Sequence, residues 1–395
     1  MSARTTLAVS AIVLILVLTM ASCAPAATPT SQAVQATAPA APAPETTQPP
    51  VPTDVSISPP AAGGGVIAPT NTAPTPTLPS VAAGRTLSGW AQVSVANSPP
   101  ARYDHTLTLD PVGNKLVLFG GRDGSKTLGD TWIFDLKTNA WRQLQTSPAP
   151  EARFGHAAAY DAQSRRVLVF AGQAGGFFND VWAFDPAAET WQKLQTTGAP
   201  PVARYGTSAV IDAKTNQLVI SHGFASGRFD DTFALDLNSL AWSQMAAVDG
   251  VPLKRCLHES VYDARTDRMV LFGGCSSGYG PCPQGDLWSL NVSGGDWNEI
   301  SPQGVKPSPR SNPALVGDDA GRLILFGGQT RDGPSSDVWA LDIASGEWTD
   351  LTPSAGGPAA RSSHDAAWDP AARRVAVFGG KGRSGALNDM WVFTP

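Results

Sequence analysis

Past Gly89 the chain repeats itself, and a chain built that way has few folds open to it. Four short signals recur in one order, the first three six times and the fourth five times. The first is Pro-x-x-Arg, ending at Arg102, Arg153, Arg204, Arg255, Arg310 and Arg361. The second is an apolar run closing on glycine: LVLFGG at 116–121, VLVFAG at 167–172, LVISHG at 218–223, MVLFGG at 269–274, LILFGG at 323–328 and VAVFGG at 375–380. The third is Asp-x-aromatic, at Asp130/Trp132, Asp180/Trp182, Asp231/Phe233, Asp286/Trp288, Asp337/Trp339 and Asp389/Trp391. The fourth is Trp-x-x-apolar, at Trp141, Trp191, Trp242, Trp297 and Trp348.

Each unit reads as four strands, a to d, with one signal opening, filling or closing each. Strand b is apolar nearly throughout, as expected of a strand covered on both faces. The c–d links, such as 135–139, place Asp and Asn at turn positions. The sixth unit runs to Pro395 without a Trp-x-x-apolar segment. A spare one stands at Trp90–Val93, one period ahead of Trp141. The expected fold is all-β: a six-bladed propeller of four-stranded blades, closed by the N-terminal strand in the last blade. Radial closure of this kind removes open sheet edges.

The apolar run, double glycine and two spaced aromatics resemble the kelch repeat, within the galactose oxidase/kelch superfamily. The resemblance covers nearly all of 89–395 and implies the propeller, not a function, since this fold hosts many. In kelch domains that bind peptides, arginines before strand a contact the partner. The resemblance therefore implies Arg102, Arg153, Arg204, Arg255, Arg310 and Arg361 as candidate ligand contacts. The residues themselves support a second reading. Six arginines match six aspartates starting strand c on the same face, so ion pairing would tie strands together.

Antiparallel strands put the d–a and b–c loops on one face and the a–b and c–d turns on the other. The first set is long and diverse, which marks it as the binding face. Phe177, Phe178 and Tyr279 lie in its b–c loops, and His222, in place of a glycine, is expected to line the channel mouth. Histidines at 105, 156, 258 and 364 recur with the repeat and read as packing residues. Cys275 and Cys282 bracket one of these loops and are expected to form a disulfide. Cys256 paired with either, or a Cys₃His zinc site with His258, are the alternatives.

Residues 1–23 resemble a lipoprotein signal peptide: an apolar stretch over 8–20, then small residues before Cys23, the expected acylation site. Residues 24–88 are rich in Pro, Ala and Thr and read as a disordered spacer. All 12 tryptophans fall in 89–395. The expected setting is extracytoplasmic, on a bacterial membrane through a lipid anchor. The net charge of −5 and the lack of basic stretches exclude nucleic acid. No cofactor motif, paired catalytic carboxylates or metal-spaced histidines stand out, so no catalytic residue, metal or cofactor is assigned. The expected function is a monomeric binding or scaffold module for a protein or glycan. The alternative is a carbohydrate-active enzyme similar to kelch-type sialic-acid epimerases.

Overall fold

A computed structural model describes residues 89–245 and 250–395. The signal peptide, Cys23 and the 24–88 spacer lie outside the described residues.

Six four-stranded antiparallel sheets make up the fold. In blade 1 strands a to d are Thr106–Asp110, Lys115–Phe119, Thr131–Asp135 and Ala140–Leu144. Blades 2 to 5 repeat the pattern over 157–193, 208–244, 259–300 and 314–350. Blade 3 carries a short extra strand, Thr197–Gly198, on its outer edge. Blade 6 takes strands a to c from Asp365–Asp369, Arg374–Gly382 and Gly385–Thr394. Its strand d is Gly89–Val93, in register from Gly89 opposite Thr394 to Val93 opposite Met390. The closure expected from the sequence is thus present. Trp90 secures it, its ring centroid 4.6 Å from that of Phe326 and 5.0 Å from that of Phe393.

The core is six clusters rather than one, each at a seam between neighbouring blades. Strand b explains the arrangement. Leu116 and Leu118 pack toward blade 6, and Val117 and Phe119 toward blade 2. A strand alternates its side chains, so burial on both faces requires a continuous apolar run.

Two rings of backbone hydrogen bonds join the blades around the axis. In the outer ring, the second glycine of each pair donates its N–H to the carbonyl of the next blade's arginine. Gly121 to Arg153 (2.8 Å) begins the series and Gly380 to Arg102 (2.8 Å) closes it. These glycines hold φ between 94° and 116°. A side chain there would also collide: a Cβ on Gly121 would lie 2.8 Å from that of His105. The first position of each pair sits nearer φ 60°, which other residues tolerate, and there the chain has Ala171 and His222.

The inner ring was not anticipated. Asp104, Gly155, Gly206, Leu257, Asn312 and Ser363 all have φ between 48° and 62°. Each donates its N–H to the carbonyl of its counterpart in the preceding blade, at 2.8–3.0 Å, and Asp104 closes the circle on Ser363. The result is a peptide collar at the mouth of the channel. It also explains why strand a begins only at Thr106: the chain is still leaving the collar at His105.

Candidate functional site

The six repeat arginines are fully buried, at 0 % exposure. Each is held alike. In Arg310, Nη1 and Nη2 bond the two carboxylate oxygens of Asp337 (2.6 and 2.8 Å). Nη1 also donates to the Gly327 carbonyl, Nε to the Ser308 carbonyl, and Nη2 to the Ser308 hydroxyl. The bond to the Ser308 hydroxyl is particular to Arg310, which thereby uses all five guanidinium donors; the other arginines make the remaining four bonds, as Arg102 does. The aspartate in turn accepts from the indole of the tryptophan two residues on, as Asp337 does from Trp339 at 2.8 Å. Blade 3 has Phe233 there, and Asp231 lacks that bond. Burial raises the pKa of Asp337, but its arginine outweighs this and holds the carboxyl below its ordinary range. This geometry closes the arginine side chains to a ligand and gives them a frame role, tying strand a, strand b and strand c of one blade.

His222 also departs from expectation. It is fully buried behind the mouth, its ring 5.3 Å from that of His258 and 5.8 Å from that of Trp297. Burial first, then the charge of Arg255, lowers its pKa to about 3. Phe178 packs on the Arg153 guanidinium at 4.1 Å. Cys275 and Cys282 form a disulfide, and Cys256 is a free, buried thiol paired by backbone with Cys275.

Phe177 and Tyr279 remain on the d–a/b–c face, with company the sequence reading missed. Phe177 lies nearly parallel to Tyr205 (6.0 Å, 15°), and both meet the Phe224 ring. Tyr205 reaches Phe154 at 6.2 Å, and Phe154 lies under the Arg122 guanidinium at 4.1 Å. Arg122 also covers Tyr103 (4.8 Å) and pairs with Asp104 of the collar (2.7 Å). At the other end Arg228 stands 5.5 Å from the Phe224 ring and donates to the carbonyls of Cys275 and Ser277. Lys254 approaches Tyr279, which is 52 % exposed. The outcome is a crescent of alternating rings and cations over blades 1 to 4, propped at one end by the disulfide loop. A sequence signal for it existed. The residue after the repeat arginine is aromatic in the first three units (Tyr103, Phe154, Tyr205) and small in the last three (Cys256, Ser311, Ser362).

A ring of six four-stranded blades sealed by its own N-terminal strand defines a closed six-bladed β-propeller, with a one-sided aromatic crescent at its mouth. The sequence matches the profile described as the KLHDC2/KLHL20/DRC7 Kelch-repeats domain over residues 85–274 and 262–395, and the chain belongs to the kelch-repeat family. It is similar to acyl-CoA-binding domain-containing protein 4 of Arabidopsis thaliana, 30 % identical over 278 residues, covering 64 % of this chain and 38 % of that protein. Adagio-like protein 1 of Oryza sativa subsp. japonica is 28 % identical over 312 residues, covering 74 % and 40 %. Kelch domain-containing protein 2 of Bos taurus is 34 % identical over 120 residues, covering 30 % and 28 %. The chain thus spans about two-fifths or less of the length of these relatives.

Proposed function

We propose that this kelch propeller is a recognition module that binds a segment of a partner protein across the Arg122–Phe177–Arg228 crescent. The crescent itself carries the reading. Rings and guanidinium groups supply contact area and directional donors at little entropic cost, the composition of binding hot spots. Asp104 pairs with Arg122 and Asp230 stands 3.9 Å from Lys254, so Arg228 brings the positive charge that no described carboxylate offsets, and the segment the crescent fits offers a carboxylate at that end. The buried arginines keep the blades in place beneath it.

The resemblance of residues 1–23 to a lipoprotein signal supports display of the module outside the cytoplasm, anchored at Cys23 and spaced by 24–88. Radiolabelled palmitate incorporation, abolished by Cys23→Ala, tests the anchor. The binding test compares pull-downs from an envelope extract by the wild type, Arg122→Ala and Phe177→Ala. Val112→Asp, in an exposed a–b turn on the opposite face, is the control. A captured set that survives both crescent changes sinks the proposal. A glycan array run in parallel distinguishes a carbohydrate ligand, for which the stacked Phe177/Tyr205 pair is the favouring feature.

A further inference from the structure

Blade 4 gathers three cysteines at the mouth, and the repeat explains how. In every blade the residue after the repeat arginine pairs across the backbone with the residue after the second glycine. The two side chains of such a pair stand together: Arg122 covers Tyr103 at 4.8 Å in blade 1, and Tyr205 meets Phe224 at 5.6 Å in blade 3. In blade 4 the pair is Cys256 and Cys275, joined by both backbone hydrogen bonds (3.1 and 2.8 Å). A pair of this kind holds its Cα atoms about 5.5 Å apart, so the Cys256 thiol stands beside the Cys275 sulfur.

Cys275 is also bonded to Cys282, and the two ends of that disulfide differ. Cys275 is buried and Cys282 is exposed, so a thiol arriving from solvent meets the Cys282 sulfur. Arg228, which opens strand c of blade 3, attends the other sulfur. Its Nη2 lies 3.4 Å from Cys275 Sγ, while Nε donates to the Cys275 carbonyl (2.9 Å) and Nη1 to the Ser277 carbonyl (2.7 Å). The two carbonyl bonds fix the guanidinium over the buried sulfur. A cation so placed is positioned to take a thiolate. Burial raises the pKa of the Cys256 thiol, with Arg228 working against it, so Cys256 serves as a weak S–H donor and not as the attacking sulfur.

We propose that this disulfide is a thiol-exchange site, where a small thiol attacks Cys282 Sγ as its thiolate and Cys275 leaves as a thiolate on Arg228. The new bond joins the incoming sulfur to Cys282 Sγ. The bond between Cys275 and Cys282 breaks, and its electron pair stays on Cys275. A second thiolate, attacking the sulfur of the first, frees Cys282. In sum two small thiols are oxidised to their own disulfide and one protein disulfide is reduced, with the two protons passing to Cys275 and Cys282. Exchange is faster when the leaving thiolate is stabilised, and access decides which sulfur is attacked. Arg228 supplies the first condition and the exposure of Cys282 the second. Reduction unties the loop that carries Tyr279 and props one end of the crescent. The site shares Arg228 with that surface but does not rest on the binding reading, and its assay contains no partner.

The test exposes the full chain, without denaturant, to reduced glutathione, quenches samples in acid at intervals and maps the products by peptide mass spectrometry. The first adduct is expected on Cys282, with Cys275 and Cys256 both free. Arg228→Gln should slow its formation about tenfold, the worth of one hydrogen bond to a charged group, and Arg228→Lys should recover part of the rate. The sign is diagnostic. If Arg228 only held the loop through its carbonyl bonds, its loss would loosen the loop and speed reduction. The proposal is overturned by glutathione on Cys275, by a Cys256–Cys275 linkage, or by a disulfide that resists the thiol until the chain unfolds. An Arg228→Gln variant that exchanges as fast as its parent overturns it too. The position of the wild-type adduct keeps the test decisive even where that variant does not fold.

Discussion

Replacing Arg310 with alanine tests the claim that the repeat arginines are frame and not ligand contacts. The truncation removes five hydrogen bonds at once and strands the Asp337 carboxylate, whose side chain is 26 % exposed. Breaking a buried pair from one side costs about 3–5 kcal/mol, most of it the penalty on the abandoned partner. Asp337 keeps its bonds from Ser335 and Trp339 and a path to water, which favours the lower end of that range. At roughly 2 cal/mol/K of unfolding entropy per residue, a propeller of about 300 residues should melt about 5 °C lower for 3 kcal/mol and about 8 °C lower for 5.

Differential scanning calorimetry measures this directly, with two comparisons built in. Arg122→Ala breaks a pair whose arginine is 39 % exposed and should cost about 1 kcal/mol or less. The double variant Arg310→Ala/Asp337→Ala should recover part of the single variant's loss, because no charge is then left alone. The pair also fixes a pH dependence. Asp337 is held below its ordinary pKa in the folded state, so its contribution is present above about pH 4 and is lost as pH falls below that. The gap between wild type and Arg310→Ala should narrow there. An Arg310→Ala shift under about 1 kcal/mol, or strictly additive single and double variants, refutes the frame role.

Trp90→Ala should cost about 2–3 kcal/mol, since the half-buried ring loses Phe326 and Phe393; amide exchange across Gly385–Thr394 should accelerate before that of other strands. The buried histidines make the fold acid-sensitive: His105 and His222 fall to about 3, so stability is full above about pH 6.5 and declines as pH drops toward 3. His105→Phe should flatten that decline in melting curves taken across the range. Reducing Cys275–Cys282, which closes a short loop, should cost about 2–3 kcal/mol, and mass spectrometry should find Cys256 unmodified by alkylating reagent until the chain unfolds.

What was legible in the sequence is what the repeat had to keep. Strand b must be apolar because two seams cover it, and the second glycine must be glycine because φ near 100° and the next strand a exclude a side chain. Trp90 announced itself as a missing sixth tryptophan. The arginines were visible but ambiguous, because residue type alone does not say whether five donors are spent inward or offered outward; their burial decides it. The collar left almost no trace. Its function is carried by backbone at positive φ, and Leu257, Asn312, Ser363 and Asp104 share nothing with Gly155 and Gly206 except that geometry.

The features that point to ligands share one property: each is a departure from the repeat. Sixfold positions serve the ring, so a residue present in every unit is explained once the ring is explained. The crescent exists because three units follow their arginine with an aromatic residue and three do not. A closed ring tolerates such substitutions at its mouths, where strand a meets solvent or cavity, and resists them at its seams. Recognition is accordingly written in the positions that break the period, on loops and channel walls whose placement the unbroken positions guarantee.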